Sequence, residues 1–287
     1  GRFVNARTGA TDTSAVDAGD DEVTPEADGP LTVTTLDDEA FDGGSLADET
    51  DDGNGLSLRE AVGLVNNGIE DAATVIDFLN TLSGTISLGS TIDINRTVSI
   101  EGLGESTLAI AGGAAVQLFN IDGTDGTTEV AFSDLTLQNG NAGSYGSGGA
   151  ILASGADLTL TNVTVTGISA EIVGGGVAST DNVTLVDTTI TSNTVTSTSA
   201  GAGGGIFVTG DLEMTGGEVT SNTLEKTTDN SARLLGGGIY VGGNTTLTDV
   251  TVDDNQISTQ SDASGGGIYA KGTLEITGGS VSANTIT

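Results

Sequence analysis

A chain of 287 residues with 36% apolar content can bury a core, and 3% aromatic content means that Val, Ile, Leu and Ala build it. Forty acidic residues against seven basic ones give a formal charge of −33, which excludes the Lys/Arg clusters that a nucleic-acid partner requires. Cysteine and histidine are both absent, so disulfides, thiolate zinc sites, Ser-His-Asp triads and histidine acid/base chemistry are excluded together.

Residues 1–30 hold both prolines, seven acids and few large apolar residues, and read as a flexible or extended lead-in. Leu31-Thr32-Val33-Thr34-Thr35-Leu36 then alternates as a strand and runs into an acidic loop over 37–55. There Asp37, Asp38, Asp42, Asp48, Glu49, Asp51, Asp52 and Asn54 offer hard oxygen ligands within 18 residues, and Asp48, Asp52 and Gly53 match part of an EF-type calcium loop. Thr50 stands where a second carboxylate belongs, and Arg59 where the twelfth-position glutamate belongs. A calcium site and a solvated, repulsive loop therefore both stay open. Next, Ser57 and Glu60 form a capping-box pair, and Leu58, Ala61, Val62 and Val65 recur at helical spacing until Asn66-Asn67-Gly68. An amphipathic helix at this place covers the apolar end of the first coil of a solenoid and guards its strand edges.

Five alternating segments, at 75–78, 85–88, 91–94, 97–100 and 107–110, follow as first coils. Asp122 and Asp125 make a second, smaller cation candidate. Beyond them the chain repeats itself. Val177, Ile206, Ile239 and Ile268 each close a glycine run and lie 16 residues before Asn193, Asn222, Asn255 and Asn284. Leu185, Met214, Leu247 and Ile276 keep the ninth position of the unit, and Ile190, Val219, Val252 and Val281 the fourteenth. A weaker copy from Ile151 has one extra residue and Ile168 in the asparagine's place. Spacing between glycine runs varies (26, 29, 33 and 29 residues), so the coils share a core and differ in one loop. A coil of this length accommodates three short strands and three turns, which predicts an all-β parallel β-helix with a short N-terminal capping helix. Its asparagines would stack as a ladder of side-chain amides, and its glycines would serve sharp turns or close backbone approach rather than a ligand. The expected organisation is a lead-in (1–30), a cap with the first coils (31–110) and β-helix repeats (111–287).

The run Asp52-Gly53-Asn54-Gly55-Leu56-Ser57-Leu58-Arg59-Glu60-Ala61-Val62, with Leu31-Thr32-Val33-Thr34-Thr35 before it and Thr97-Val98-Ser99-Ile100-Glu101-Gly102 after it, resembles the CSLREA-type N-terminal region of large bacterial and archaeal surface or secreted proteins. The Gly-Gly-Gly-Ile and Val-x-x-Asn repeats are similar to those of polymorphic outer-membrane-protein and autotransporter-like passengers. Two departures stand out: Leu56 replaces the cysteine of the family's name, and Val or Ile at 190, 219, 252 and 281 replaces the usual Phe. The resemblance implies a right-handed β-helix outside the cell or on its surface, acting in adhesion, surface coating or assembly, with no catalytic residues.

Three functional classes compete. The first is a non-enzymatic structural or adhesive surface protein, either a head-to-tail filament subunit or a passenger segment of a larger adhesin that binds a host or matrix ligand. The second is a polysaccharide lyase or hydrolase. Against it, tryptophan is absent, only Tyr145, Tyr240 and Tyr269 could stack sugars, and Arg96, Lys226, Arg233 and Lys271 scatter over different coils. Ice binding is the third, and coils of unequal length argue against its flat threonine arrays. Tyr240 and Tyr269 share the second position of successive units with Phe207, so they should stack as an outward ladder or a partner-binding stripe. Asn95, Asn162, Asn182 and Asn244 head glycosylation sequons. No apolar run is long enough to span a bilayer, and the missing initiator Met and signal peptide suggest a processed or truncated product. Thr287 follows Asn284 without a capping element, so the end is expected to meet a continuing chain or another copy.

Overall fold

Short β-branched segments cut by Gly, Asn or Asp can pair only with their equivalents one repeat away, and that pairing organises the molecule. The computed structural model describes residues 29–51, 53–69, 75–123, 126–144, 146–228 and 232–287. It is a parallel β-solenoid of about seven turns, nearly all β, with two helices among the described residues. The expected lead-in, Asp52, Asp125 and Tyr145 lie outside the described residues, apart from Gly29 and Pro30.

A regular coil carries five short strands rather than three: Ile206–Val208, Leu212–Thr215, Glu218–Thr220, Thr223–Lys226 and Leu234–Leu235. The extra strands exist because single residues make the corners. Ser221, at φ 54°, turns the chain so sharply that pairing resumes at Thr223. The strands stack into sheets of seven, fifteen, five and three, the fifteen-stranded one taking both the second and the third strand of each coil. This sheet runs from Val98–Glu101 and Leu108–Ala111 into Thr128–Gln138 without a break.

Register follows the repeat. Val177 lies beside Ile206, which lies beside Ile239 and then Ile268. Leu185, Met214, Leu247 and Ile276 form a second column, and Ile190, Val219, Val252 and Val281 a third. These side chains point inward and are buried in every coil before the last. The extra residue of the weaker copy sits at one corner, where residues 154–157 replace the three residues 180–182 and Gly155 adopts φ 68°. Another corner alternates Asp and Gly: a Cβ on Gly216 would come 2.1 Å from Asp187 Oδ1, and one on Gly278 2.0 Å from Asp249 Oδ1. Each aspartate thus folds over space that a glycine leaves free.

At the N-terminal end, helix α2 (Leu58–Asn66) carries both halves of a capping box: Ser57 Oγ accepts from Glu60 N–H at 3.3 Å, and Ser57 N–H donates to Glu60 Oε2 at 2.7 Å. Its Leu58, Ala61, Val62, Leu64 and Val65 join the solenoid core, which extends over the first strands. Where the sequence suggested only a loop, a further helix, α1 (Leu46–Asp51), forms. Ser45 N–H and Oγ both donate to Asp48 Oδ2, at 2.9 and 2.8 Å, so the Ser45-x-x-Asp48 spacing starts it. No described helix is long and apolar enough to cross a membrane.

Candidate functional site

The asparagine column is a closed hydrogen-bond system. Asn193, Asn222 and Asn255 each donate their N–H and Nδ2 to the Oδ1 of the next coil's asparagine at 2.9–3.1 Å. The other Nδ2 hydrogen of each, and that of Asn284, reaches a main-chain oxygen of the preceding coil (Val165, Ile190, Val219 or Val252) at 2.8–3.0 Å. The glycine runs exist for this column. Their first members take φ of 59–72° (Gly174, Gly203, Gly236, Gly265). Cβ atoms on the middle ones (Gly175, Gly204, Gly237) would stand 2.0–2.2 Å from the next coil's middle-glycine oxygen, and Cβ atoms on Gly205, Gly238 and Gly267 would meet the ladder asparagine's Cγ at 2.7–2.9 Å. In the weaker copy Ala150 replaces that third glycine as Ile168 replaces the asparagine, and Ile168 N–H donates to Asn193 Oδ1 at 3.1 Å. These residues hold coils together and offer no space to a ligand.

The acidic loop is drawn inward by protein donors. Asp38 accepts from Arg59 Nε and Nη2 at 2.8 and 2.9 Å and from Gly89 N–H at 2.7 Å, while Arg59 also donates to the Thr91 and Ser90 carbonyls. Asp37 Oδ2 accepts from Asn54 Nδ2 at 3.1 Å. The hydrogen bonds from Ser45 hold the Asp48 carboxyl below its usual range. Asp42 is exposed and accepts from Gly44 N–H, and Asp51 is exposed at the end of α1. Among the described residues no three carboxylates stand together in a metal-holding arrangement. Asp122 is exposed at the end of its strand, away from this loop. Among the oxygen ligands of this loop, Glu49 is set apart by being wholly buried, and burial first and the Asp42 carboxyl next push its pKa up. Its signal was the Ser45-x-x-Asp48 box, which starts a helix and turns the next residue, Glu49, inward.

A second ladder runs along the outside of the fifteen-stranded sheet. Asn182 N–H donates to Asp157 Oδ1, Asp211 N–H to Asn182 Oδ1, Asn244 N–H to Asp211 Oδ1 and Thr273 N–H to Asn244 Oδ1, at 2.7–3.2 Å. Asn182, Asp211, Asn244 and Thr273 all hold the sixth position of the unit, which the fixed spacing could have shown. Beside this ladder lie shallow grooves of about 380 and 270 Å³, the larger lined by Thr97, Glu129, Asp157, Thr159 and Asn182. Glu129 and Asp157 are neighbours in register, one coil apart, and no basic or aromatic side chain lines either groove. The threonine columns are interrupted: Thr184 is followed by Glu213, and Thr189 by Glu218.

Two features diversify the remaining surface. Length variation gathers at one corner, between the five- and three-stranded sheets, where 198–200, 227–233 and 259–262 connect otherwise matched strands. Lys226 reaches the Ala232 carbonyl and Ser261 Oγ there, and Arg233 reaches Ser264 Oγ. On the seven-stranded sheet, Phe207, Tyr240 and Tyr269 stack with centroids 4.8 and 5.6 Å apart, and Lys271 Nζ stands 5.3 Å from the Tyr240 centroid. Hydrogen bonding with Tyr240 raises the pKa of Lys271. Tyr240, stacked between its neighbours' rings, is itself buried. The last coil differs from those before it: Leu274, Ile276, Val281 and Ile286 are 42–49% exposed on its apolar face.

Comparison of the chain with protein-family models, with curated proteins and with solved structures found no match.

Proposed function

We propose that this chain works outside the cell as a rigid, acidic, non-catalytic β-solenoid, a structural or adhesive surface element acting through its faces. The observation that carries this reading is how the polar side chains are used. The outer ladder and the asparagine column commit them to coil-to-coil bonds along the axis, so they build length instead of converging on a reacting group. The charge of −33 supports a particle that stays soluble and repels its neighbours laterally. The variable corner supports adhesion, since loops that differ in length on one side of a solenoid are where such proteins vary contacts at little cost to the core. The resemblance to CSLREA-type and autotransporter-like repeats points the same way.

Light scattering on the natively isolated protein separates the two forms of this reading. A polydisperse mass far above 28.2 kDa supports a filament, and a stable monomer supports an adhesin passenger. The competing enzymatic reading rests on Glu129 and Asp157 side by side in the larger groove, since glycosidic cleavage uses a carboxylate pair. Release of reducing ends or unsaturated uronates from acidic polysaccharides, lost in Glu129→Gln, would replace the structural reading with that one.

A further inference from the structure

A buried carboxylate needs a counter-charge or a proton, and Glu49 has neither among its described hydrogen-bond partners. Its side chain is 0% exposed, Oε1 accepts from Gly44 N–H at 2.7 Å, and Oε2 has no donor. The same Gly44 N–H also reaches Asp42 Oδ1 at 3.2 Å, so one amide hydrogen serves two carboxylates that it holds side by side. Gly44 cannot be enlarged to relieve them, because a Cβ there would come 2.7 Å from Asp48 Cβ and 2.9 Å from Glu49 Oε1. The charged groups nearby are committed elsewhere. Arg59 is taken by Asp38, Asp48 by Ser45, and Glu39 Oε1 by Asn54 N–H. Asp42 is exposed, which leaves the pair open to solvent on one side.

The geometry points to a calcium-type cation site at the loop between Asp42 and Glu49, in which Glu49 Oε2 and the Asp42 carboxylate supply the anionic ligands, with main-chain oxygens and water completing the shell. Only oxygen donors are present, which selects a hard divalent ion, and Ca²⁺ tolerates the irregular, partly hydrated shell that two carboxylates give. One such ion neutralises both carboxylates at once, whereas a single proton leaves the second charge unpaired. Of the oxygen ligands that the sequence offered over 37–54, this site uses Asp42 and Glu49 alone, since Asp48 is committed to Ser45 and Asn54 to Asp37. It stands independently of the surface role proposed above.

The test is calorimetric titration of the full chain with CaCl₂ at physiological ionic strength, together with melting curves in calcium and in chelator. The expected result is one saturable site with Kd on the order of 10⁻⁴–10⁻³ M, and a Tm about 3 °C or more higher in excess calcium. Glu49→Gln and Asp42→Asn should each weaken binding by about tenfold or more and remove the calcium-dependent rise. In chelator, Glu49→Gln should melt no lower than the parent protein, because it removes an uncompensated buried charge; this separates ligand loss from misfolding. Asp51→Asn, exposed on α1, should bind as the parent does. No saturable binding by the parent protein, or an equal rise in Tm for parent and Glu49→Gln, would overturn the site and assign any effect to the general acidic surface. An unchanged Tm in calcium combined with a rise on acidification that Glu49→Gln abolishes would replace the cation with a shared proton.

Discussion

The two ladders make the same bond in different surroundings. In both, a side-chain oxygen accepts the N–H of the equivalent residue in an adjacent coil at about the same distance, from the preceding coil in the buried ladder and from the following coil in the outer one. Asn193, Asn222 and Asn255 are buried, so every unmade bond there costs the desolvation of the group left behind. Asn182, Asp211 and Asn244 face the solvent, which replaces a lost partner. The buried ladder also dictates its neighbours, the glycines opposite it, whereas the outer one tolerates Asp, Asn and Thr in one column. Burial, not bond geometry, decides which ladder specifies the fold.

Asn222→Asp sets the two apart most sharply. It keeps the shape, removes the Nδ2 donor to Ile190 and Asn255, and places a carboxylate where nothing cationic waits. A loss of about 3–5 kcal/mol at pH 7 is expected, read from denaturant melts. The loss should shrink on acidification, because a carboxyl whose folded pKa is raised favours the fold at low pH and loses that contribution as pH rises. If Asn222→Asp proves as mild as the exterior exchange Asn182→Asp, the comparison fails.

Asn193→Ile with Gly176→Ala comes next, a double exchange that copies the Ile168 and Ala150 pair of the preceding coil. Each single variant should cost about 1–3 kcal/mol, the first by leaving Ile168 N–H without an acceptor and the second by crowding at 3.1–3.3 Å. The double variant should be more stable than their sum by about 0.5–2 kcal/mol; strict additivity would mean that the glycine and the asparagine are not coupled. At the N-terminal end, Asp38→Ala should cost about 1.5–3 kcal/mol, since it removes charge-assisted bonds from Arg59 and Gly89. Limited proteolysis should then cut first near the cap, leaving the coils intact.

On the exterior, Asn182→Ala should cost only about 0.5–1 kcal/mol, and its effect should add to that of Asn244→Ala. The smallest effect belongs to pH. Asp48, with its lowered carboxyl, contributes stability that is present above its ordinary value of 3.8 and lost as pH falls through the folded pKa. Glu49 acts in the opposite sense: its contribution is complete below 4.5 and fades as pH rises through the raised value. Chelated protein should therefore gain stability on acidification from neutral toward 4.5, and Glu49→Gln should flatten that slope.

The solenoid was legible because its inward columns keep an apolar residue at one spacing: the ninth position is Leu, Met, Leu and Ile, and each lies in register with its equivalent one coil away. The asparagine column was legible for the same reason. The outer ladder was hidden because solvent relaxes its composition, and Asn182 and Asn244 stood out as sequons instead. The Asp187 and Gly216 corner was hidden because its two members look unrelated until one side chain is seen lying over the other's missing Cβ. In the acidic loop, composition registered many oxygen ligands and not their donors. Ser45, Asn54, Arg59 and Gly89 claim four of those carboxylates' bonds, from sequence distances of 3 to 51 residues.

Because like lies upon like in the inward columns, the upper surface of one coil's core is the chemical complement of the lower surface of its neighbour's. Such an object has no preferred length. Duplicating or deleting a pair of units, which keeps Asp and Gly alternating at their corner, preserves the inward columns and shifts the end by two strand spacings, about 9.6 Å. Gene-level repeat number can therefore vary the reach of the rod in small, equal steps, while the corner loops vary what it touches, and the two can change independently of each other.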